Sequence, residues 1–206
     1  LSPLYSALLN RQDYPAQMPR LKLSVIRRSY NRIILNEAEL LDALAKAFPQ
    51  IEVAVLMEET SDRTPIVIRQ AAESFAIIGV HGALLTATMF MPAGSMLIEI
   101  LPYATSTDVV GYFKVLAGLP AVDIHYRNMV SVADAELTTT AIPDLSILPA
   151  SYQDGIMTNT QVPNYHCCSN VFWTFRKEQN VVADIPLIIS SLREMMQDEL
   201  DKSSSK

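Results

Sequence analysis

Two arginines, a histidine and a glutamate lie at or near the ends of three apolar runs in this sequence. Arg27 and Arg32 follow the first run, His81-Gly82-Ala83 follows the second, and Glu99 lies within the third. If the runs are parallel strands, their carboxyl ends meet at one edge of a sheet, which is where ligands bind in doubly wound folds. The spacing therefore predicts one ligand site.

These residue types suit a nucleotide diphosphate. Gly82 lets the backbone approach a ligand closely, a helix that starts after it favours phosphate oxygens, and His81 can donate to them. Arg27 or Arg28, together with Arg32, can bind a diphosphate in a bidentate manner and neutralise its charge. A structural histidine and a solvated arginine loop are the alternatives, because lone residues of these types are common in both settings.

Glu99 is a carboxylate inside the apolar run Met-Leu-Ile-Glu-Ile-Leu. A carboxylate is costly to bury without a partner, whereas one at a strand end suits the hydroxyls of a ribose. We predict that Glu99 binds the ribose. No residue is predicted as a general base.

Short apolar runs alternate with helical patterns and cap signals, which predicts an α/β fold with a Rossmann-like, doubly wound parallel sheet. Asn36 and Glu39 form a predicted capping box for the first helix, and Thr64-Pro65 marks the start of the second. The predicted strands are Leu21–Ile26, Ile51–Leu56, Phe75–Val80, Met96–Leu101 and Val122–Tyr126. Further helices are predicted over Leu84–Met91, over Val109–Ala117 and after Asp184.

We divide the chain into a linker or truncated end over residues 1–20 and a Rossmann-like domain with the predicted ligand site over residues 21–130. An irregular excursion over residues 131–164 and a helical extension with a polar tail over residues 165–206 follow. Because the sequence opens on Leu1 without a signal peptide, we expect a piece of a longer protein.

Composition excludes several classes of protein. Half of the 206 residues are apolar, which is enough for one core, and the net charge of -6 includes no basic stripe for nucleic acid. No Gly-x-Gly-x-x-Gly, Walker or Asp-x-Asp motif occurs, so dinucleotide, P-loop and metal-binding devices of these kinds are not predicted. The apolar residues 75–101 are long enough for a membrane span, but Gly79, Gly82, Pro92 and Gly94 favour buried strands.

Cys167 and Cys168 are the only cysteines. They have no partner pair for a zinc site, and three states stay open for them: bonds to cysteines elsewhere, a bond to each other, or buried thiols.

Several motifs in the order found here resemble family 61 glycosyltransferases. They are Arg27, Arg32-Ile-Ile-Leu-Asn-Glu37, Ile78-Gly-Val-His-Gly-Ala83, Phe90-Met-Pro-Ala-Gly94 and Ile98-Glu-Ile100. Other matching pieces are Leu101-Pro-Tyr-Ala104, the segment from Tyr112 to Pro120, Asp123 to Tyr126, His166-Cys-Cys168, Trp173 and Asp184-Ile-Pro186.

The resemblance implies the second Rossmann-like, donor-binding half of a GT-B glycosyltransferase, with UDP-N-acetylglucosamine as donor and no certain cofactor. Within the family, it points to the branch that transfers N-acetylglucosamine with inversion, in β-1,4 linkage, to O-linked mannose on glycoproteins. It also implies the endoplasmic reticulum lumen, with any membrane anchor N-terminal to this chain. Alternatives are transfer to EGF-like domains by another branch and a non-catalytic sugar-nucleotide-binding protein.

By the same resemblance, His81, Gly82 and Ala83 contact the diphosphate. Arg27 and Arg32 are implied as cationic support, and Glu99 is implied near the ribose.

Overall fold

The computed structural model describes residues 21–57, 64–102, 111–132, 146, 150 and 179–204. Residues 1–20, most of the predicted excursion and both cysteines lie outside the described residues. The elements, in chain order, are β1 (Lys22–Arg27), α1 (Glu37–Ala47), β2 (Glu52–Met57), α2 (Thr64–Glu73), β3 (Ser74–Val80), a 3₁₀ helix (Ala83–Phe90), β4 (Met96–Leu101), α3 (Tyr112–Ala117), β5 (His125–Val130) and α4 (Ile185–Ser204).

The five strands form one parallel sheet in the order β2-β1-β3-β4-β5. The predicted α/β class is therefore confirmed. From β1 the chain runs to β2 on one side, and from β3 it runs to β4 on the other side. The strand order thus reverses between β1 and β3, and in doubly wound sheets the crevice at such a switch point receives the ligand.

Helices cover both faces of the sheet. Right-handed crossovers require the β1-to-β2 connection on one face and the three later connections on the other, because the direction along the sheet reverses. The two buried clusters show this division: α1 packs on the first face, whereas α2, the 3₁₀ helix and α3 pack on the second face. In the described part of the chain, one crossover covers the first face, and α4 completes it through Ile188, Leu192, Met195 and Met196.

The central strands agree closely with the sequence prediction. All residues of β3 and β4 are buried, as expected for strands covered on both faces. Residues 75–101 form strand, 3₁₀ helix and strand, so the buried-strand interpretation is confirmed over the alternative of a membrane helix. Among the described residues, no helix has the length and apolar character needed to cross a bilayer.

The predicted start of the fifth strand was wrong by three residues, because β5 begins at His125 and not at Val122. Val122 and Ile124 are apolar and buried, but they lie in the turn before β5, where they pack into the cluster of the second face. The strand itself has the mixed sequence His-Tyr-Arg-Asn-Met-Val and lies at the end of the sheet order. An edge strand of this kind lacks the continuous apolar run that identifies a buried one.

The predicted capping role of Asn36 was also wrong. Asn36 precedes α1 but makes no cap hydrogen bond with its side chain. Its side chain instead bonds the backbone of Ala183, with Nδ2 donating to the carbonyl at 2.9 Å and Oδ1 accepting from the N–H at 2.8 Å. The predicted cap of α4 is confirmed, since Leu187 N–H donates to Asp184 Oδ1 at 3.0 Å.

Candidate functional site

The candidate site lies at the carboxyl edge of the sheet, at the switch point between β1 and β3. His81 follows the last residue of β3, and its N–H donates to Ile100 O at 2.9 Å, so it extends the ladder with β4 by one bond. Arg28 and the loop that contains Arg32 follow β1. The fold therefore brings the predicted arginines and histidine to one edge.

His81 is joined to a buried carboxylate and a phenol. Its Nδ1 lies 2.5 Å from Glu99 Oε1, and Tyr126 O–H donates to Glu99 Oε2. Alternation along β3, β4 and β5 places the three side chains on the same face of the sheet, on three neighbouring strands. Because an ionised carboxylate can only accept hydrogen bonds, the imidazole proton lies on Nδ1. Nε2 is then the ring nitrogen left to contact a ligand.

Glu99 is fully buried, whereas a quarter of the His81 side chain is exposed. A buried carboxylate is tolerated when its oxygens have partners, and here each oxygen has one. Burial, and then the hydrogen bond to Glu99, raise the pKa of Tyr126 above its usual value. The phenol therefore stays protonated at neutral pH and remains a donor to Glu99.

Phe113 of α3 packs against His81. Its ring meets the His81 ring edge to face, with centroids 5.6 Å apart. The imidazole is thus held by a charged hydrogen bond and by an aromatic contact, both from elements that follow it in sequence.

Two guanidinium groups converge over Gly82. A Cβ atom built on Gly82 would lie 2.7 Å from Arg32 Nη1 and 2.9 Å from Arg28 Nη1. Arg32 Nη1 also donates to His81 O at 2.7 Å, and Arg28 bonds Asn31 through Nε (to O, 3.0 Å) and Nη2 (to Oδ1, 3.2 Å). The missing side chain of Gly82 is therefore what lets two positive charges approach the backbone next to His81.

Arg27 has a different environment. It lies in β1, and its guanidinium forms an ion pair with Glu37 at the start of α1, with 2.7 Å between Arg27 Nε and Glu37 Oε1. Arg27 remains a predicted ligand contact by resemblance, but Arg28 is the neighbour whose guanidinium approaches Gly82. Successive side chains along an extended chain point in opposite directions, so only one of the pair can do so.

The loop that contains Arg32 is fixed from a distant part of the chain. Arg32 has a φ of 56°, a left-handed conformation that costs a non-glycine residue about 1 kcal/mol. Its neighbour Ile33 donates its N–H to Asn180 Oδ1 at 3.0 Å, and Ile34 and Val181 form a parallel bridge. The segment before α4 thus holds the backbone conformation that directs Arg32 to Gly82.

Ala83 begins the 3₁₀ helix, and it is exposed. Gly82 caps that helix, since Leu85 N–H donates to Gly82 O at 3.0 Å. The first N–H groups of a helix lack partners within it, so those after Gly82 are suited to anionic oxygens. Gly82 and Ala83 therefore lie at the start of this helix, and their contact with a diphosphate stays a prediction.

The sequence prediction did not include Arg28 in its final set, and it missed Tyr126 and Phe113. Glu99 was predicted to contact ribose, and that stays a prediction, although both of its oxygens already have partners within the chain. The register between β4 and β5 would have identified Tyr126, because it lies two residues from Asn128, the register partner of Glu99. Within the described ranges, no group of three His, Cys, Asp or Glu side chains is arranged to hold a metal ion.

Comparison with known proteins identifies the family. Residues 3–98 match the family model described as Glycosyltransferase 61. The chain belongs to the glycosyltransferase 61 family. This confirms the resemblance that the motifs around Arg32 and His81 indicated.

Several curated relatives have the name protein O-linked-mannose beta-1,4-N-acetylglucosaminyltransferase 2. The protein of that name from Homo sapiens is 35% identical over 179 residues, which cover 84% of this chain and 30% of the relative. The one from Takifugu rubripes is 35% identical over 180 residues, covering 82% and 29%. The one from Canis lupus familiaris is 34% identical over 195 residues, covering 91% and 33%. The chain thus spans about a third of the length of these relatives.

Proposed function

We propose that this chain is the donor-binding part of a glycosyltransferase and binds the diphosphate of a sugar nucleotide between Arg28, Arg32 and His81. One observation carries the proposal: two guanidinium groups meet over Gly82 at the switch point of the sheet, beside an imidazole fixed by a carboxylate. A guanidinium group presents its N–H donors in a fork that matches the oxygens of a phosphate, so two such groups side by side can bind one diphosphate.

The donor that we propose is UDP-N-acetylglucosamine, and the acceptor is O-linked mannose on a glycoprotein. The names of the relatives support the transferred sugar and the acceptor, because they describe N-acetylglucosamine transfer in β-1,4 linkage to O-linked mannose, whereas UDP as the nucleotide is supported by the family resemblance. The family resemblance also supports a GT-B architecture in which this sheet is the donor-binding half. A position in the lumen of the endoplasmic reticulum is proposed from the resemblance alone.

In this proposal the residues at the switch point assist departure of the nucleotide. The bond between the anomeric carbon and the diphosphate oxygen breaks, and the acceptor hydroxyl oxygen bonds to that carbon with inversion. Negative charge then grows on the diphosphate, where Arg28, Arg32 and the His81 ring can stabilise it. We assign no residue of this chain as the base that takes the proton of the hydroxyl.

Isothermal titration calorimetry with UDP tests the donor site directly. Wild type should bind UDP, and Arg28→Ala and Arg32→Ala should each weaken it by about tenfold or more, since a hydrogen bond to a charged group contributes about 1.5–3 kcal/mol. Arg69→Ala is the matched control, because it removes one positive charge from an exposed position on α2.

Two further titrations define which part of the ligand is recognised. Uridine should bind weakly and should not distinguish wild type from Arg28→Ala, because it lacks the phosphates. Repeating the UDP titration with Mg²⁺ and with a chelator shows whether a cation joins the diphosphate. A folded chain that does not bind UDP, or equal binding by wild type and both arginine variants, would overturn the proposal.

A further inference from the structure

The His81–Glu99–Tyr126 arrangement is more elaborate than a diphosphate contact requires. A histidine that only donated to phosphate could do so from a loop, with solvent around it. Here its Nδ1 is bound to a carboxylate that has no exposed surface, and the second oxygen of that carboxylate accepts from Tyr126. Burying this carboxylate costs free energy, which indicates that the arrangement has a functional role.

We infer that Glu99 and Tyr126 are positioning residues that act through His81, fixing its proton on Nδ1 and presenting Nε2 to the donor diphosphate. The inference rests on the proposed function and deepens it. Histidine ligands of metals and nucleophile-activating histidines are held by carboxylates in the same manner, which sets both tautomer and ring orientation.

Tyr126 has a defined part in this arrangement. Without the hydrogen bond from Tyr126, the plane of the Glu99 carboxylate could turn and move its oxygen out of line with Nδ1. The hydrogen bond from Tyr126 to Oε2 fixes that rotation and leaves Oε1 for Nδ1. Since the pKa of Tyr126 is raised by burial and by Glu99, the phenol does not lose its proton at physiological pH.

Approach of a diphosphate favours a proton on Nε2 as well, because the ring is then a donor on both sides. Glu99 stabilises the positive charge from the buried side while the diphosphate stabilises it from the ligand side. UDP affinity should accordingly depend on the charge of Glu99.

The chain contains a matched control for this pair. His125 and Glu199 also form a histidine–glutamate pair, with 2.8 Å between Nε2 and Oε2. His125 is the first residue of β5, so this pair lies at the amino edge of the sheet, opposite to His81. Glu199→Gln removes the same type of charge without touching the proposed site.

The experiment is a double-mutant cycle on UDP affinity, measured by calorimetry. Glu99→Gln keeps the size of the side chain and should weaken UDP binding by about tenfold, and Tyr126→Phe by about fivefold. On a His81→Gln background, Tyr126→Phe should have no further effect, because Tyr126 acts through the imidazole. Glu199→Gln should bind UDP as wild type does.

A spectroscopic readout separates positioning from general structural support. The chain has only three histidines, so the ¹⁵N resonances of the His81 ring can be assigned with single His→Gln variants. In wild type the proton should reside on Nδ1, and in Tyr126→Phe the spectrum should show a mixture of tautomers. Circular dichroism of each variant shows whether the fold is retained; if Glu99→Gln does not fold, Tyr126→Phe carries the test.

The outcomes distinguish this inference from the proposed function. If His81→Gln binds UDP as tightly as wild type, the diphosphate assignment fails at His81. If His81→Gln weakens binding but Tyr126→Phe changes neither UDP affinity nor the tautomer, the positioning inference alone is overturned. Equal losses from Tyr126→Phe with and without His81 would also contradict it, since they would show that Tyr126 acts by another route.

Discussion

Gly82→Ala should separate ligand binding from folding in this chain. The new Cβ would lie 2.7 Å from Arg32 Nη1 and 2.9 Å from Arg28 Nη1, closer than such contacts occur, so both guanidinium groups must move away. If the diphosphate loses one charge-assisted hydrogen bond of about 1.5–3 kcal/mol, UDP affinity falls by roughly 10- to 100-fold.

The same substitution should change stability little. Gly82 has φ 164° and ψ 168°, which is extended backbone that any residue adopts. Alanine restricts the unfolded chain and stabilises by about 0.4–1 kcal/mol, whereas displacement of Arg32 from His81 O costs about 1 kcal/mol. The two terms nearly cancel, so the free energy of unfolding should stay within about 1 kcal/mol of wild type.

Calorimetry with UDP and thermal unfolding of the same samples check both halves of this prediction. Gly111→Ala is the control, because its Cβ would meet no atom within 4 Å and its φ of -68° suits alanine. Wild-type UDP affinity in a folded Gly82→Ala variant would refute the reasoning, since the guanidinium groups would then be shown not to bind the ligand.

Three other changes test the supporting structure. Asn180→Ala removes the side-chain acceptor for Ile33 N–H and should weaken UDP binding by roughly two- to fivefold in calorimetry, because the loop of Arg32 loses a restraint; unchanged affinity would contradict this. Ser74→Ala leaves the buried Ser24 hydroxyl without its 2.7 Å partner and should lower the free energy of unfolding in urea by about 1–3 kcal/mol, with UDP affinity retained. Tyr126 has a raised pKa in the folded state, so its contribution to stability is complete below pH 10 and declines as pH rises above that value. In urea titrations, the difference in free energy of unfolding between wild type and Tyr126→Phe should therefore shrink in alkali. A difference that stays constant with pH would contradict this prediction.

The buried part of the sheet was predictable because its signal is local. The run Met96–Leu101 is apolar apart from Glu99 and is bounded by Gly94-Ser95 and Pro102, and β4 has these same limits. Strands formed by such apolar runs are buried on both faces of the sheet, and their parallel order follows from their alternation with helices. The edge strand β5 gave no such signal, since Arg127 and Asn128 interrupt its apolar positions.

The position of the arginines and the histidine at one edge of the sheet was also predictable. Which of the neighbours Arg27 and Arg28 approaches Gly82 was not. Strand ends in a parallel sheet share an edge, so Arg32 and His81 were expected to converge. Whether Arg27 or Arg28 approaches Gly82 depends on the facing direction of each side chain at the end of β1. In the structure, Glu37 pairs with Arg27 and so leaves Arg28 to approach Gly82. Neither the facing direction nor this ion pair can be read from a local sequence pattern.

The contacts that were missed share one physical cause, namely that they join residues far apart in sequence. Asn36 looked like a helix cap because asparagine is favoured there, yet it bonds Ala183, 147 residues later. Tyr126 reaches Glu99 only because β4 and β5 pair in one register, and a shift by a single residue would turn it to the other face. Such pairs follow from the register of the sheet, which cannot be read from either segment alone.

The segment 179–183 shows why these distant contacts matter to the site. Its backbone bonds the loop of Arg32 through Val181, and it bonds the residues after β5 through Val182, whose N–H donates to Ser131 Oγ at 2.8 Å. It therefore ties together the ends of β1 and β5, which lie on opposite sides of His81 in the strand order. Arg32 approaches the site from the side of β1 and Tyr126 from the side of β5, so this segment helps to set the separation of these two side chains around His81.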